Sequence, residues 1–424
     1  MAKGSKFFTS DGDQFYVKGI AYQVFQSLFS SEVVQLMCIQ LVPEDPLINS
    51  TQCQLDASLM ETIGTNSIRV YHVDPEANHT ECMSIFADAG IYLWLDLDTF
   101  DTWIDQVMPR WNITQRNAFA KVMDAFHHFD NLAGFYVGNE VVWSGWGYPA
   151  TPFVKAAARD MKSYRDSQGY RQIPIGYSNA DLASLRPTLQ NYLACGDSAD
   201  AIDFFSLNAY SWCGSSSYEA SGYKALLKNS TNYNIPIFFS ETGCNEDPPR
   251  TFTDQAVVFN QMADKWSGSI VYEWIDEANN FGLVSYGQEV KPGPTAPLDG
   301  FPRSGTPTPV QPDFDNLSNV WKTPLPTGML IFLHSFKQSL THTLGIRETD
   351  YSPTLSPPAC PQYTSGIWEI NASSPLPTLG QTYLYGADQV TPTPTRSSDA
   401  GRLGLNLRVH SLFIGMTGTL AMYV

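Results

Sequence analysis

The run "NIPIFFSETGCN", residues 234–245, decides the fold. From Ile235 to Phe239 the apolar residues follow one another instead of alternating, so a strand formed there buries both faces. The run then stops at one carboxylate, Glu241, and a Thr-Gly turn. Seven other stretches share this character: "QFYVKGIAYQ" (14–23), "NSIRVYHV" (66–73), "IYLWLDLD" (91–98), "LAGFYVGNE" (132–140), "IPIGYSNAD" (173–181), "DFFSLNAYSW" (203–212) and "SIVYEWIDE" (269–277). Helix-like segments lie between them. "PEANHTECMSIFADAG" (75–90) puts Pro75 at a first helical position and Gly90 just past the end. "TPFVKAAARDMKSYRDSQG" (151–169) offers Thr151 as an N-cap and Gly169 beyond the last turn. Eight such strands alternating with helices predict an α/β fold, a closed (β/α)8 barrel. An open doubly wound sheet needs a glycine-rich nucleotide loop after its first strand, and "GIAYQVFQ" has none.

The chain has 424 residues, enough for one such barrel with extra segments or for two to three ordinary domains. Its 43% hydrophobic and 13% aromatic content supports a large core. A formal net charge of −17 argues against nucleic acid, because a polyanion needs clustered Lys and Arg. An acidic, ring-rich surface suits neutral polar ligands such as sugars, whose apolar faces stack on aromatics. Seven cysteines are dispersed, at 38, 53, 82, 195, 213, 244 and 360, without a CxxC pair; this favours disulfides over a zinc site, and no metal or cofactor is expected. Six N-x-S/T sequons, at Asn49, Asn78, Asn112, Asn229, Asn316 and Asn371, are open to glycosylation in a secreted chain. HExxH, GxSxG and Walker patterns are absent, which removes the simplest metalloprotease, serine hydrolase and P-loop readings.

From about residue 287 the composition turns to Pro, Gly and Thr, as in "KPGPTAPLDGFPRSGTPTPVQPDFDNLSNVWKTPLPTG", and predicts an extended wrap. The end, "TPTPTRSSDAGRLGLNLRVHSLFIGMTGTLAMYV", orders a Thr/Pro stalk, the small residues Ser397, Ser398, Ala400 and Gly401, a spacer, and an apolar tail from Leu412. That order matches a GPI-attachment signal, with a frayed terminus as the alternative.

Active sites of (β/α)8 barrels collect where strands end at the C-terminal face. The fourth strand ends in Asn139 and Glu140, the seventh in Glu241, so two carboxylates look into one mouth. This is the minimum equipment for glycoside hydrolysis or transfer, with Glu140 as acid/base, Glu241 as nucleophile and Asn139 on the sugar 2-hydroxyl. Either glutamate alone is better accounted for by a helix cap or an arginine partner; the pair together favours the catalytic reading. Tyr210 and Tyr272 fall at or near the ends of strands six and eight, within reach of a carboxylate or substrate. Trp143, Trp146, Tyr148 and Trp212 are candidate sugar-stacking rings, or else loop aromatics turned inward.

The blocks "GTNSIRVYHVDPEANHTECM", "GFYVGNEV", "TPFVKAAARDMK", "IPIGYSNAD", "NAYSWCG", "IPIFFSETGCN" and "YEWIDEANNFGLVSYG" resemble the fungal β-1,3-glucanosyltransferases of glycoside hydrolase family 72. The likeness runs from 7 to 326 and returns weakly at "SPPACPQYTSGIWEI" (356–370). It implies a retaining enzyme that cleaves an internal β-1,3-glucan bond and transfers the fragment to the non-reducing end of another glucan. Donor and acceptor glucans are the implied partners, with membrane attachment only through a GPI anchor and a location outside the cell. A plain retaining β-1,3-glucanase and a non-catalytic glucan-binding protein are the alternatives. The resemblance puts the acid/base on Glu140, the nucleophile on Glu241, and substrate contacts on Gln23, Tyr71, Asp96, Asn139, Tyr210 and Tyr272. It pairs Cys53 with Cys82, Cys213 with Cys244 and Cys195 with Cys360, leaving Cys38 over.

The implied organisation is a catalytic barrel over 1–326, an irregular extension over 327–375 that returns through Cys360, and a stalk with a possible anchor signal over 376–424. The chain departs from the family pattern in four places. "MAKGSKFFTS" has no apolar leader, which reads as a truncated start. "VFQSLFSSEVVQLMCIQLVPED" (24–45) interrupts the pattern beside Gln23, and "MLIFLHSFKQSLTHTLGIR" (329–347) is more apolar than the tail expected there; both read as gene-model artefacts. No long cysteine-rich carbohydrate-binding module follows Cys360, as in the subclass without it.

Overall fold

The computed structural model describes residues 1–29, 39–99, 101–291, 297, 299–322 and 346–382. Eight parallel strands close into a barrel in chain order: β1 (Val17–Ala21), β2 (Ser67–Val70), β3 (Tyr92–Asp96), β4 (Leu132–Asn139), β5 (Ile175–Ala180), β6 (Phe204–Asn208), β7 (Ile237–Thr242) and β8 (Trp266–Val271). The intervening helices are α1 (Ser50–Ile63), α2 (Thr80–Asp88), α3 (Ile113–Phe126), α4 (Thr151–Ser167), α5 (Thr188–Ala194), α6 (Tyr223–Asn229) and α7 (Thr253–Val258). The predicted barrel is therefore the observed one. Close strand approach needs glycine: a Cβ at Gly176 would lie 2.4 Å from the Phe204 carbonyl oxygen.

The floor of the barrel is closed from outside it. A three-stranded antiparallel cap (Ala2–Lys3, Lys6–Phe8 and Gln14–Phe15) drives Phe7 among Trp94, Phe238 and Phe204, with ring centroids 5.2, 5.8 and 6.0 Å away. Only the C-terminal ends of the strands are left to form a mouth. The first predicted strand is accordingly divided, its start given to this cap and its centre to β1.

Two helix starts differ from expectation. α2 begins at Thr80, because Asp74 and Asn78 first hold turns by accepting from the backbone N–H groups of Glu76 and Thr80. At α4 the N-cap position belongs to Ala150, and the Thr151 hydroxyl instead donates back to the Tyr148 carbonyl at 2.7 Å. Gly90 and Gly169 follow these helices with φ of +71° and +70°, as expected.

The Pro/Gly/Thr run is not wholly extended. It contains α8 (Asp313–Lys322), whose Phe314, Leu317 and Trp321 are buried and whose Asp313 pairs with Arg250 at 2.6 Å. Burial of an apolar stripe overrides the composition. The interrupting segment pairs as an antiparallel hairpin, Val24–Phe29 with Ile39–Glu44. Cys38, most of 329–347 and the anchor-like tail lie outside the described residues. Residues 346–382 return to the barrel, where Trp368 is buried against Tyr148 and Tyr192. Disulfides join Cys53 to Cys82, Cys195 to Cys360 and Cys213 to Cys244, the three pairings that the resemblance implies.

Candidate active site

The site is organised around a buried cation. Arg69 points inward from β2 and is fully buried. A guanidinium without water must be paired to be tolerated, and Arg69 grips both oxygens of Asp96 on β3, at 3.1 and 2.8 Å. Its remaining donors reach the Asn139 Oδ1 at 3.0 Å, the Ser178 hydroxyl at 3.2 Å and the Glu241 Oε1 at 3.4 Å. Tyr71 and Tyr136 lie against the guanidinium at 4.3 and 4.4 Å.

Glu241, at the end of β7, accepts hydrogen bonds from the Tyr71 hydroxyl (2.9 Å) on one oxygen and the Tyr210 hydroxyl (2.7 Å) on the other. Glu140 follows β4 in a left-handed conformation, φ +48°, that a non-glycine residue adopts at a cost and that recurs at functional sites. Its backbone N–H donates to the Ser178 carbonyl at 2.8 Å, which anchors that turn to β5. Asn208, at the end of β6, holds the tip of β4: its side-chain amide donates to the Glu140 carboxylate at 2.9 Å and to the Asn139 Oδ1 at 3.0 Å. The Asn208 Oδ1 is held by Ser178 and Ser240 at 2.9 and 2.8 Å, which fixes the amide's orientation.

The two carboxyls sit in unequal fields. Burial, followed by the charge of Glu241, pushes Glu140 up to about 7, against smaller opposing effects of Asn208 and Arg69. Burial also raises Glu241, but Arg69 and the hydroxyls of Tyr210 and Tyr71 oppose it. Burial keeps both tyrosines protonated, so they remain donors to that carboxylate.

Of the residues expected at the site, Glu140, Glu241, Asn139, Tyr71 and Tyr210 come together. Asp96 reaches the centre through Arg69. Tyr272 stands beside Tyr210 with centroids 6.4 Å apart, and Phe281 packs against both rings at 5.4 and 5.6 Å. Gln23 has its amide committed to backbone: it donates to the Val24 and Glu44 carbonyls and accepts from the N–H groups of Tyr71 and His72. Trp143 and Trp146 form an accessible pair 5.5 Å apart, whereas Trp212 turns inward onto Tyr223 and Tyr148 packs on Trp368. Sequence reasoning missed Arg69 and Asn208. An arginine inside a doubly buried strand was itself a signal, since charge there demands a partner; Asn208 carried no comparable mark. A further trio of candidate ligands, Cys213, Cys244 and Glu246, offers no thiolate because the cysteines are disulfide-bonded.

A closed (β/α)8 barrel whose mouth holds two glutamates is the architecture of glycoside-processing enzymes. The chain belongs to the glucanosyltransferase family, glycoside hydrolase family 72, whose model matches residues 1–293. It is 42% identical over 334 residues to protein EPD1 of Candida maltosa, covering 77% of this chain and 58% of that protein. A 1,3-beta-glucanosyltransferase of Schizosaccharomyces pombe is 36% identical, with 88% of this chain and 74% of that protein covered. The solved structure of Saccharomyces cerevisiae Gas2p in complex with laminaritriose and laminaritetraose superposes with a TM-score of 0.72 at 35% identity, covering 89% of this chain and 77% of that one. The chain spans 50–64% of the length of four curated Candida relatives.

Proposed function

We propose that this protein is a retaining β-1,3-glucanosyltransferase, with Glu241 as nucleophile and Glu140 as acid/base. The observation that carries this reading is the unequal pair: one glutamate raised to about 7, the other held by an arginine and two tyrosine hydroxyls. Glu241 attacks the anomeric carbon of a glucan ring while Glu140 gives its proton to the departing glycosidic oxygen, releasing the reducing-end fragment. Glu140, now a carboxylate, takes the proton from the 3-hydroxyl of an acceptor glucan as that oxygen displaces Glu241 and forms a new β-1,3 bond. Asn139, its Oδ1 occupied by Arg69 and Asn208, keeps its amide hydrogens for the sugar. Family membership and the laminari-oligosaccharides bound by Gas2p support the substrate class.

Transfer must outrun water at about 55 M, which positioning achieves when effective molarities reach about 10⁵ M. The exposed Trp146 and its neighbour Trp143 are the rings available to hold an acceptor. Incubation of the purified protein with a single laminari-oligosaccharide at millimolar concentration is expected to yield products longer than the starting chain. Shorter products alone would replace transferase by hydrolase.

The pH profile follows from the two carboxyls. Glu140 must carry its proton for the first step, and a group raised to about 7 loses it as pH rises through that value. The alkaline limb of kcat/KM is therefore expected near pH 7, and the acid limb above the usual carboxylate range, because Glu241 is raised as well. An alkaline limb below pH 5 would remove Glu140 from the acid role.

We read the chain as extracellular, with a GPI anchor on its far C-terminal segment. Three disulfides support an oxidising compartment. No helix among the described residues is long and apolar enough to cross a membrane.

A further inference from the structure

The chain that leaves Glu140 has no strand ladder to hold it, so its buried N–H groups need partners from elsewhere. The Val142 N–H donates to the Tyr177 hydroxyl at 3.1 Å, and the Trp143 N–H donates to the side-chain Oε1 of Gln106, also at 3.1 Å. Gln106 belongs to the long connection between β3 and α3, and only 1% of it is exposed. Its amide donates to the Ser144 hydroxyl at 3.1 Å, and that hydroxyl lies within 3.3 Å of its Oε1. The fit is tight further along as well, where a Cβ at Gly147 would stand 2.6 Å from the Gln106 Cδ. One buried side chain therefore fixes the loop that carries Trp143 and Trp146.

The remainder of that loop has anchors only at its far end. A bond from the Gly147 N–H to the Ser144 carbonyl at 3.0 Å opens the 3-10 turn Gly145–Ala150, and Tyr148 packs on Trp368. Between these points Trp146 is 41% exposed and meets Trp143 edge to face. Rings that hold an acceptor must stand at a fixed height, because a displacement of about 1 Å takes the attacking hydroxyl out of reach of the anomeric carbon. Water needs no such platform. A loosened loop would therefore penalise transfer and spare hydrolysis.

We propose that Gln106 is a positioning residue for transfer: it holds the Trp143 and Trp146 loop at the height at which an acceptor glucan competes with water. The inference rests on the transferase reading above and deepens it. Gln106→Met keeps the length of the side chain and removes its polar contacts. With a single laminari-oligosaccharide at millimolar concentration, the released reducing-end fragment counts the glycosyl-enzymes formed, and the lengthened product counts those that reach an acceptor. Gln106→Met is expected to lower the ratio of transfer to hydrolysis about tenfold, the scale of one lost hydrogen bond, while kcat/KM for fragment release stays within about twofold and its alkaline limb does not move. Gln106→Glu, whose carboxyl oxygens still accept from the Trp143 N–H and the Ser144 hydroxyl, returns the ratio to within about threefold of wild type. In a Trp143→Ala/Trp146→Ala background, Gln106→Met changes the ratio by less than about twofold, because the rings through which it acts are gone. A wild-type ratio in Gln106→Met overturns the inference, as does a fall in fragment release equal to the fall in transfer, the result of a purely structural role. A further loss of about tenfold in the background without the rings also overturns it. Wild-type protein that yields only shorter sugars overturns the transferase reading and this inference with it; lengthened products made equally well by wild type and Gln106→Met overturn this inference alone.

Discussion

Purified Glu241→Gln and Glu140→Gln proteins are expected to process laminari-oligosaccharides at less than about one thousandth of the wild-type rate, since each loses a group that makes or breaks a bond in both steps. Folding should survive, because each amide keeps the shape of the acid and its carbonyl oxygen still accepts, from Asn208 at position 140 and from a tyrosine hydroxyl at position 241. The two roles are separable by azide. With an activated glucosyl donor, a Glu241→Gly protein leaves room for azide on the nucleophile's side of the sugar. A single displacement then yields the α-glycosyl azide. A Glu140→Gly protein still forms the glycosyl-enzyme on Glu241, and azide resolves it from the opposite face to the β-glycosyl azide. The anomeric configuration, read by NMR, assigns nucleophile and acid/base independently of rate. The reverse pattern would exchange the two assignments, and near-wild-type turnover in either Gln variant would remove that residue from the chemistry.

Arg69→Met is expected to cost about 3 to 5 kcal/mol of stability and nearly all activity. The guanidinium is wholly buried, so its loss strands Asp96, 2% exposed, without a counter-charge. It also removes a cation that holds down the proton affinity of Glu241. Stability and activity divide in the double variant Arg69→Met/Asp96→Leu. Replacing both members of a buried pair by apolar groups of similar volume restores most of the folding free energy, measured by chemical denaturation. It restores none of the catalysis, because Asn139 and Glu241 have still lost their common donor. Recovery of activity with stability would show Arg69 to be purely structural.

Arg69 also shows where reading along the chain runs out. "NSIRVYHV" displays an arginine in a buried strand, but no spacing rule says that Asp96, Asn139, Ser178 and Glu241, on four other strands, meet it. Asn208 is similar: a strand-end asparagine on β6 reaches Glu140 and Asn139 at the end of β4 only because the closed barrel turns both ends into one mouth. Gln23 shows the converse. Its position is right for the family pattern, yet the hairpin that follows it takes up its amide hydrogens.

The eight strands, their parallel order and the two glutamates at strand ends were legible in the amino-acid sequence, because doubly buried runs and abrupt polar stops are local patterns that survive without knowledge of neighbours. Helix α8 was not legible, since its apolar stripe acquires meaning only against the barrel wall it covers. Only the tertiary structure sets the electrostatic field at each glutamate. That depends on what surrounds each carboxyl in space: hydroxyls from Tyr71 and Tyr210 and a guanidinium from Arg69 at Glu241, mainly burial at Glu140. Electrostatic fields act through distance, and the groups that set them here lie as many as 172 residues apart in the chain.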